Sequence, residues 1–161
     1  MGTVHRNALF VLFACIAALA TALIAQYGFG YRPCILCTYQ RIPYVVSAVL
    51  AVLSFLPSKA LPRFLLRLAG LAFVVNAGIA AYHVGVEHLW WAGPDGCRAG
   101  LALLPDSPEE LMKALGGPLP VRCEDVQLQF MGVSLAGGNL AASVLLALYV
   151  FVSTRPSRCG G

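Results

Sequence analysis

The chain has 161 residues, of which 59% are hydrophobic and only 11% are charged. That charged fraction is less than half of the roughly 25% found in soluble proteins, so the composition excludes an ordinary soluble enzyme and indicates a membrane protein. The length is short for more than one domain, and we expect a single integral membrane domain over residues 1–161. The formal net charge of +4 is unevenly placed along the chain, and its distribution matters more than its size.

Four apolar runs reach the length of about 20 residues that a transmembrane helix needs. They cover approximately residues 8–26, 38–56, 68–86 and 130–152. The first run is long, and no clear small-residue cleavage site followed by a soluble domain comes after it, so we do not expect a removable signal peptide. The predicted fold class is an all-α membrane protein, a four-transmembrane-helix bundle.

A C-x-x-C pair, Cys34 and Cys37, lies between the first two apolar runs. Two intervening residues bring the sulfur atoms together at a helix start, where the helix N-terminus favours the thiolate and lowers the thiol pKa. Arg41 follows Cys37 by four residues and is therefore expected one helical turn deeper on the same face. A cation inside a bilayer is energetically costly and usually has a functional role. This stretch therefore predicts a reactive dithiol above a buried positive charge.

The third apolar run contains Asn76 and, near its outer end, His83. A polar residue within a span is often a hydrogen-bonding contact between helices, and we interpret Asn76 in that way. His83 is expected at about the same depth as Arg41.

A long outer loop is predicted at about residues 87–129, between the third and fourth runs. Within it, Ser107-Pro108-Glu109-Glu110 is a capped helix start, and Gly116-Gly117 is a helix stop. The helix between them is too short to be stable alone, so we expect its apolar face to lie on the membrane surface.

The distribution of basic residues predicts how the chain is oriented in the membrane. The N-terminal tail, the segment between the second and third runs and the C-terminal tail carry basic residues but no acidic residue, whereas all seven acidic residues fall between the third and fourth runs. The positive-inside rule places both termini in the cytoplasm, and the C-x-x-C pair and the outer loop on the opposite side.

Six cysteines divide between the two sides. Cys15 lies inside the first run and is interpreted as a small buried hydrophobic residue, and Cys159 is in the cytoplasmic tail, where thiols stay reduced. Four others are expected on the outer side: Cys34, Cys37, Cys97 and Cys123.

Three interpretations of these four cysteines compete. Cys34 and Cys37 form a closely spaced pair, the tight pair, and Cys97 and Cys123 a widely spaced pair, the wide pair. Two structural disulfides would explain the wide pair, but a disulfide across the two residues between the tight pair removes little chain entropy. A metal site of four thiolates is the second, although the wide pair lacks C-x-x-C spacing. The third is a relay of thiol–disulfide exchange, in which the wide pair meets a soluble partner and the tight pair meets the membrane. Spacing and topology favour the relay.

A relay needs an electron acceptor. The sequence offers no ligands for haem or flavin and no nucleotide-binding glycine pattern, so a lipid-soluble quinone that diffuses in the bilayer is the natural choice. Arg41 is expected to polarise a quinone carbonyl, and also to favour the Cys37 thiolate.

Cys34-Ile35-Leu36-Cys37-Thr38-Tyr39-Gln40-Arg41 resembles the C-x-x-C…R signature of the bacterial disulfide bond formation protein B (DsbB) family. The resemblance extends to four spans, cytoplasmic termini, a second outer cysteine pair and a Cys-Glu-Asp sequence before the fourth run, and it covers essentially the whole chain. The vitamin K epoxide reductase family has similar chemistry, but there the loop cysteines precede the C-x-x-C pair, whereas here they follow it.

The resemblance implies an enzyme of the bacterial inner membrane that reoxidises the soluble periplasmic thiol oxidase DsbA and passes electrons to ubiquinone or menaquinone. The outer loop is then periplasmic. Two redox-active disulfides are implied, Cys34–Cys37 and Cys97–Cys123. By position, Cys97 forms the mixed disulfide with DsbA, and Cys123 exchanges with Cys34.

The resemblance also implies a quinone site. Cys37 interacts directly with the quinone and Arg41 binds it. His83 lies near the place where the family has a histidine beside the quinone, although the intervening spacing differs slightly.

A different class of function is a non-catalytic membrane assembly factor whose outer loop is stapled by disulfides. Purified protein that carries quinone and reduces it with a dithiol substrate distinguishes the enzyme from this alternative. We expect the bilayer, a membrane quinone and a DsbA-like protein as partners, with no metal and no nucleic acid.

Overall fold

The structure, a computed structural model, describes residues 2–56, 61–94, 123, 129–130 and 132–155. The predicted surface helix of the outer loop, Cys97 and Cys159 lie outside these residues. The described elements, in chain order, are α1 (Thr3–Leu23), a π-helical turn (Ile24–Gly28), α2 (Ile35–Leu53), α3 (Leu61–Glu87), β1 (Gln129–Phe130), β2 (Val133–Ser134) and α4 (Leu135–Ser153).

Four helices are long and apolar enough to cross a membrane, which confirms the predicted four-helix membrane fold. Each helix overlaps the apolar run that predicted it. α1 and α3 begin earlier than their runs, at Thr3 and Leu61, because a helix continues past its apolar segment. α4 begins later than its run, because a hairpin of β1 and β2, with Gln129 opposite Ser134, occupies the start of that run.

Side-chain caps explain where two of the helices begin. The Cys34 sulfur accepts a hydrogen bond from the Cys37 amide at 3.3 Å, and Cys34 is thereby the N-cap of α2. The Ser134 hydroxyl oxygen accepts from the Gly137 amide at 3.0 Å and caps α4 in the same way. Both caps satisfy backbone N–H groups that have no partner within the helix.

α3 lies at the centre of the bundle and packs along both α2 and α4, while α1 packs mainly on α2. Val11, Phe73 and Val150 are almost fully buried in the core, whereas Phe13 and Leu145 on the outside are 71% and 66% exposed. The exposed face of the bundle is therefore apolar, as a lipid-facing surface requires. Several polar side chains are buried between the helices, where they bond to one another.

The two ends of α3 are held by different contacts. At its start, Arg67 Nη2 donates to the Thr154 carbonyl at 2.9 Å, which places a cation at the C-terminal end of α4. Beyond its other end, Trp91 folds back on α3 after the left-handed residue Leu89 (φ 59°). Trp91 Nε1 donates to the Tyr82 carbonyl at 2.8 Å, and the two rings stack with their centroids 5.9 Å apart.

Gly85 gives a test of this aromatic contact, because the Trp91 ring lies where a Cβ on Gly85 would be. We expect Gly85→Ala to displace the ring and to lower stability by roughly 1–3 kcal/mol, the usual cost of overpacking. Thermal unfolding, together with Trp91 fluorescence in a Trp90→Phe background, measures both effects. Gly78→Ala is the matched control on the same helix, because nothing lies within 4 Å of its Cβ position. Equal stability of the two variants would contradict the packing described here.

Candidate active site

The sulfur atoms of Cys34 and Cys37 lie 3.1 Å apart and share a hydrogen bond. Cys34 is buried, and Cys37 is half-buried in the first turn of α2. Both are free thiols, so the structure shows the dithiol form of the pair. A small movement brings the two atoms to the S–S bond length of about 2.05 Å, as a reversible disulfide requires.

Cys123 belongs to the same buried cluster as this pair. It is only 2% exposed, and the cluster also contains Leu36 and Val86. Cys123 is itself disulfide-bonded. Its bonding partner is not Cys15, Cys34 or Cys37, since all three are free. The predicted Cys97–Cys123 pairing stays a prediction, because Cys97 lies outside the described residues.

His83 contacts the cysteine pair from α3. Its Nε2 atom is 3.5 Å from the Cys34 sulfur, and its Nδ1 atom is 3.0 Å from Gln40 Nε2. The ring is 3% exposed. Glu87, one turn further along α3, has a carboxylate oxygen 4.0 Å from His83 Nε2, and the Ser134 hydroxyl donates to that carboxylate.

These contacts make Cys34 the more acidic partner in the dithiol. The hydrogen bond with Cys37 lowers the pKa of Cys34 to about 4, and the contact with His83 acts in the same direction against the opposing effect of burial. The thiolate is the reactive form of cysteine, so Cys34 is a nucleophile and a good leaving group at neutral pH.

Arg41 is one turn below Cys37, as its spacing predicts. Its Nη1 atom donates to Gln26 Oε1 at 2.7 Å, and Gln26 belongs to the π-helical turn that ends α1. The hydrogen bond of Arg41 therefore reaches across to α1. The predicted effect of Arg41 on the Cys37 thiolate stays a prediction.

A cavity of about 330 Å³ connects all of these groups and is lined by all four helices and the π-helical turn. Its polar lining includes Cys34, Cys37, Gln40, Arg41, His83 and Glu87. Small apolar side chains from α1 and α4, such as Ala22 and Ala142, line the rest. This volume is within the usual range of small-molecule sites, and an apolar wall with a few converging donors suits a ring that carries carbonyl oxygens. The residues present therefore fit a quinone head group.

Soft cations are a second ligand class for the same atoms. The ligand atoms of Cys34, Cys37 and His83 all lie within 4.8 Å of one another. This spacing can accommodate a thiophilic ion, although thiol–disulfide exchange needs both sulfurs free, and we do not assign the three residues as metal ligands.

The sequence-predicted residues Cys34, Cys37, Arg41, His83 and Cys123 all line one cavity. Cys15 is 0% exposed within the core, which confirms that it is buried. Gln40 and Asn139 also line the cavity and were not predicted as site residues, nor were Gln26 and Glu87. For the three amides, the signal in the sequence was an amide side chain inside an apolar run.

Gln40 and Asn139 belong to a buried chain of hydrogen bonds that joins α2, α3 and α4. Asn139 Nδ2 donates to Gln40 Oε1 at 2.7 Å, and the Tyr44 hydroxyl donates to Asn139 Oδ1 at 2.6 Å. Asn76 Nδ2 donates to Ser143 Oγ at 2.8 Å, the interhelical role expected for Asn76. This series of hydrogen bonds begins inside the bundle and ends at His83, beside Cys34.

Comparison with known proteins identifies the family. Residues 5–153 match the family described as "Disulfide bond formation protein DsbB". Disulfide bond formation protein B of Acinetobacter baumannii is 32% identical over 144 residues, which cover 86% of this chain and 83% of the relative. The protein of the same name from Saccharophagus degradans is 30% identical over 159 residues, covering 94% and 93%.

A third relative of that name, from Chromobacterium violaceum, is 33% identical over 138 residues, which cover 83% of this chain and 82% of the relative. No solved structure matches the chain. The family match spans nearly the whole sequence and all four helices, and the chain therefore belongs to the DsbB family of membrane oxidoreductases.

Proposed function

We propose that the protein reoxidises a DsbA-like periplasmic dithiol oxidase by thiol–disulfide exchange through four cysteines and delivers the electrons to a quinone in the cavity beside Cys37. Membership of the DsbB family implies the overall reaction, namely reoxidation of DsbA and transfer of electrons to quinone. The observation that carries the residue assignment is that Cys123 and Cys34 belong to one buried cluster and line the same cavity.

The relay begins at the wide pair. A thiolate of reduced DsbA attacks Cys97, and the electron pair of the Cys97–Cys123 bond leaves with the Cys123 sulfur. The Cys123 thiolate then attacks Cys34 in the Cys34–Cys37 disulfide and releases the Cys37 thiolate. Each exchange forms one S–S bond and breaks one, so no net oxidation occurs until electrons leave the tight pair. The presence of Cys123 and Cys34 in one buried cluster supports this order.

The return steps restore both disulfides. The second thiolate of DsbA resolves the mixed disulfide and releases Cys97, which attacks Cys123 and expels Cys34. Cys34 and Cys37 then reform their bond. A quinone supplies the acceptor chemistry, because it takes up the two electrons and two protons that two thiols lose. The low pKa of Cys34 supports its part in these steps, both as leaving group and as nucleophile.

Arg41 is the residue that we assign to bind a quinone carbonyl. It lines the cavity one turn below Cys37, and its guanidinium has donors beyond the one that bonds Gln26. A fixed cation in a dry cavity stabilises negative charge that develops on a carbonyl oxygen. His83 lines the same cavity. We assign it, together with Arg41, as a quinone-binding residue. Either ubiquinone or menaquinone suits this chemistry.

The bacterial inner membrane is the proposed location. The chain is a multi-pass membrane protein with four candidate spans. The basic residues of both tails and of the segment between α2 and α3 support cytoplasmic termini, with the cysteine site facing the periplasm. An oxidising compartment is required there, because cytosolic reductants keep thiols reduced.

The test of the function is anaerobic mixing of the purified protein with reduced DsbA and quinone while quinone absorbance is followed. We expect quinone reduction in step with DsbA oxidation, and loss of turnover when Cys34, Cys37, Cys97 or Cys123 is replaced by Ser. Cys15→Ala is the matched control and should retain nearly full turnover. Full turnover in a Cys97→Ser, Cys123→Ser double variant would remove the wide pair from the relay.

The acidity of Cys34 gives a pH prediction. In fully reduced protein, alkylation of Cys34 by iodoacetamide should persist as the pH falls to about 4, because the thiolate is present above the lowered pKa. Cys37→Ala removes the main stabilising hydrogen bond, so the midpoint of the alkylation profile should rise by at least about one pH unit. Peptide mass spectrometry locates the modification. Cys15→Ala should leave the midpoint unchanged, and a midpoint near that of an ordinary thiol in the unchanged protein would refute the assignment.

Arg41 is tested by the Michaelis constant for quinone. Loss of a charge-assisted hydrogen bond costs roughly 1.5–3 kcal/mol, so Arg41→Ala should raise this constant about 10- to 150-fold. Arg41→Lys should raise it less, because a flexible ammonium replaces a planar fork. The first reduction of the wide disulfide by DsbA should be almost unchanged. Arg67→Lys, at the other end of the bundle, is the control and should leave the Michaelis constant for quinone unchanged. An unaltered Michaelis constant in Arg41→Ala would exclude Arg41 from the quinone site.

A further inference from the structure

The hydrogen bonds around Gln40 have a defined direction in the structure. An amide nitrogen donates and cannot accept, and an amide oxygen accepts and cannot donate. Gln40 Nε2 faces His83 Nδ1 at 3.0 Å, so the amide is the donor and Nδ1 is the acceptor. A ring nitrogen that accepts a hydrogen bond carries no hydrogen, and in a neutral imidazole the hydrogen is then on the other nitrogen, Nε2.

Asn139 fixes the orientation of the Gln40 amide by bonding the oxygen atom that does not face His83. Asn139 Nδ2 donates to Gln40 Oε1 at 2.7 Å, which leaves Gln40 Nε2 to face the histidine. The Asn139 amide is oriented in turn, because its oxygen accepts from the Tyr44 hydroxyl at 2.6 Å and from Asn76 Nδ2 at 3.4 Å. Reversal of either amide alone would place two donors or two acceptors against each other, away from bulk water.

We propose that Gln40 and Asn139 are positioning residues that hold His83 in the tautomer with its hydrogen on Nε2, so that His83 donates a hydrogen bond to the Cys34 sulfur. The geometry meets this requirement, since Nε2 is 3.5 Å from Cys34 Sγ, within the range for a sulfur acceptor. The opposite tautomer would present a lone pair to the sulfur and would disfavour a thiolate there.

The bond acts at the step in which Cys34 leaves. When the proposed Cys34–Cys123 bond breaks, the sulfur of Cys97 takes the place of Cys34 on Cys123, and the electron pair departs on Cys34. The Nε2–H group donates to this thiolate, and the proton stays on His83. The same bond holds Cys34 as a thiolate until it reforms the disulfide with Cys37. This chemical role rests on the proposed relay, whereas the tautomer is a property of the protein in which Cys34 and Cys37 are reduced.

Several titratable groups surround Cys34 and His83. Cys37 is on α2, Glu87 is on α3, and Tyr31, Arg32, Arg41 and Tyr44 also line the cavity. Within the described residues, α1 and α4 add no titratable side chain to this lining. Cys123 also lines the cavity and is disulfide-bonded in the structure; in the reduced protein used below this disulfide is broken, and the Cys123 thiol joins the titratable groups. Each of these groups is unchanged in the variants used below.

The first measurement uses the unchanged full-length protein, with ¹⁵N-labelled histidine, reduced and in detergent micelles. The His83 resonances are identified by their loss in His83→Asn. We expect the nitrogen spectrum of a neutral ring with hydrogen on Nε2 and a bare Nδ1. A spectrum with hydrogen on Nδ1 and a bare Nε2 would overturn the proposal directly, whether or not any variant folds.

Variants of Gln40 and Asn139 test whether these residues determine the His83 tautomer. Gln40→Leu removes the donor, so the His83 spectrum should become a mixture of tautomers. The acid dissociation constant of Cys34, measured from its alkylation profile, should fall roughly tenfold. This factor is the lower bound for losing a hydrogen bond to a charged group. Asn139→Leu should give the same changes at smaller size. Gln40→Glu should restore the acidity of Cys34 while both His83 nitrogens carry hydrogen, because a carboxylate accepts from Nδ1–H and leaves Nε2–H in place.

Ser47→Ala is the matched control, since Ser47 is a buried polar residue on the same helix that bonds the Ala69 carbonyl instead. It should change neither the His83 spectrum nor the Cys34 profile. An unaltered His83 spectrum in Gln40→Leu would overturn the proposal. Failure of the unchanged protein to reduce quinone, with the expected tautomer observed, would instead contradict the proposed function and leave the tautomer assignment intact.

Discussion

The site depends on the hydrogen bond from the Cys37 amide to the Cys34 sulfur. This bond makes a reactive sulfur the N-cap of α2, a position that serine, threonine or aspartate usually occupies. Cys34 is consequently held at the positive end of a helix, with Cys37 beside it and His83 above it. The requirement to begin α2 and the requirement to stabilise a thiolate are met by the same interaction.

The bilayer explains why the polar residues behind this cap form a closed network. Water cannot satisfy amide or hydroxyl groups within the hydrocarbon region, so each must find a partner within the protein. Gln40, Asn139, Tyr44 and Ser143 do so across α2 and α4. Asn76 Oδ1 is the exception among the described buried atoms, with no partner. The network thus connects helices mechanically and also determines which hydrogen faces the sulfur.

Sequence reasoning identified the helices, the cysteine pair and Arg41 because these depend on spacing along one segment. His83 could be placed near them because depth in the bilayer follows from position in the span. The cluster that contains Cys123 and Cys34 joins residues from distant segments, and no local pattern encodes it. Gln40 and Asn139 were missed for a similar reason, since an amide in an apolar run indicates some interhelical bond but not which one. The Gln26–Arg41 bond depends on the π-helical turn, which hydrophobic periodicity does not reveal.

The π-helical turn at Ile24–Gly28 has a consequence for how relatives of this protein are aligned. Such a turn holds one residue more than an α-helical turn, and it rotates everything after it by about 100° relative to a continuous α-helix. A relative with an ordinary helix here would carry one residue fewer before its C-x-x-C pair. An alignment that ignores the gap would match Gln26 with a residue on another face of α1. Insertions of a single residue at this point therefore change which side chain reaches the arginine, without altering the length of the membrane span appreciably.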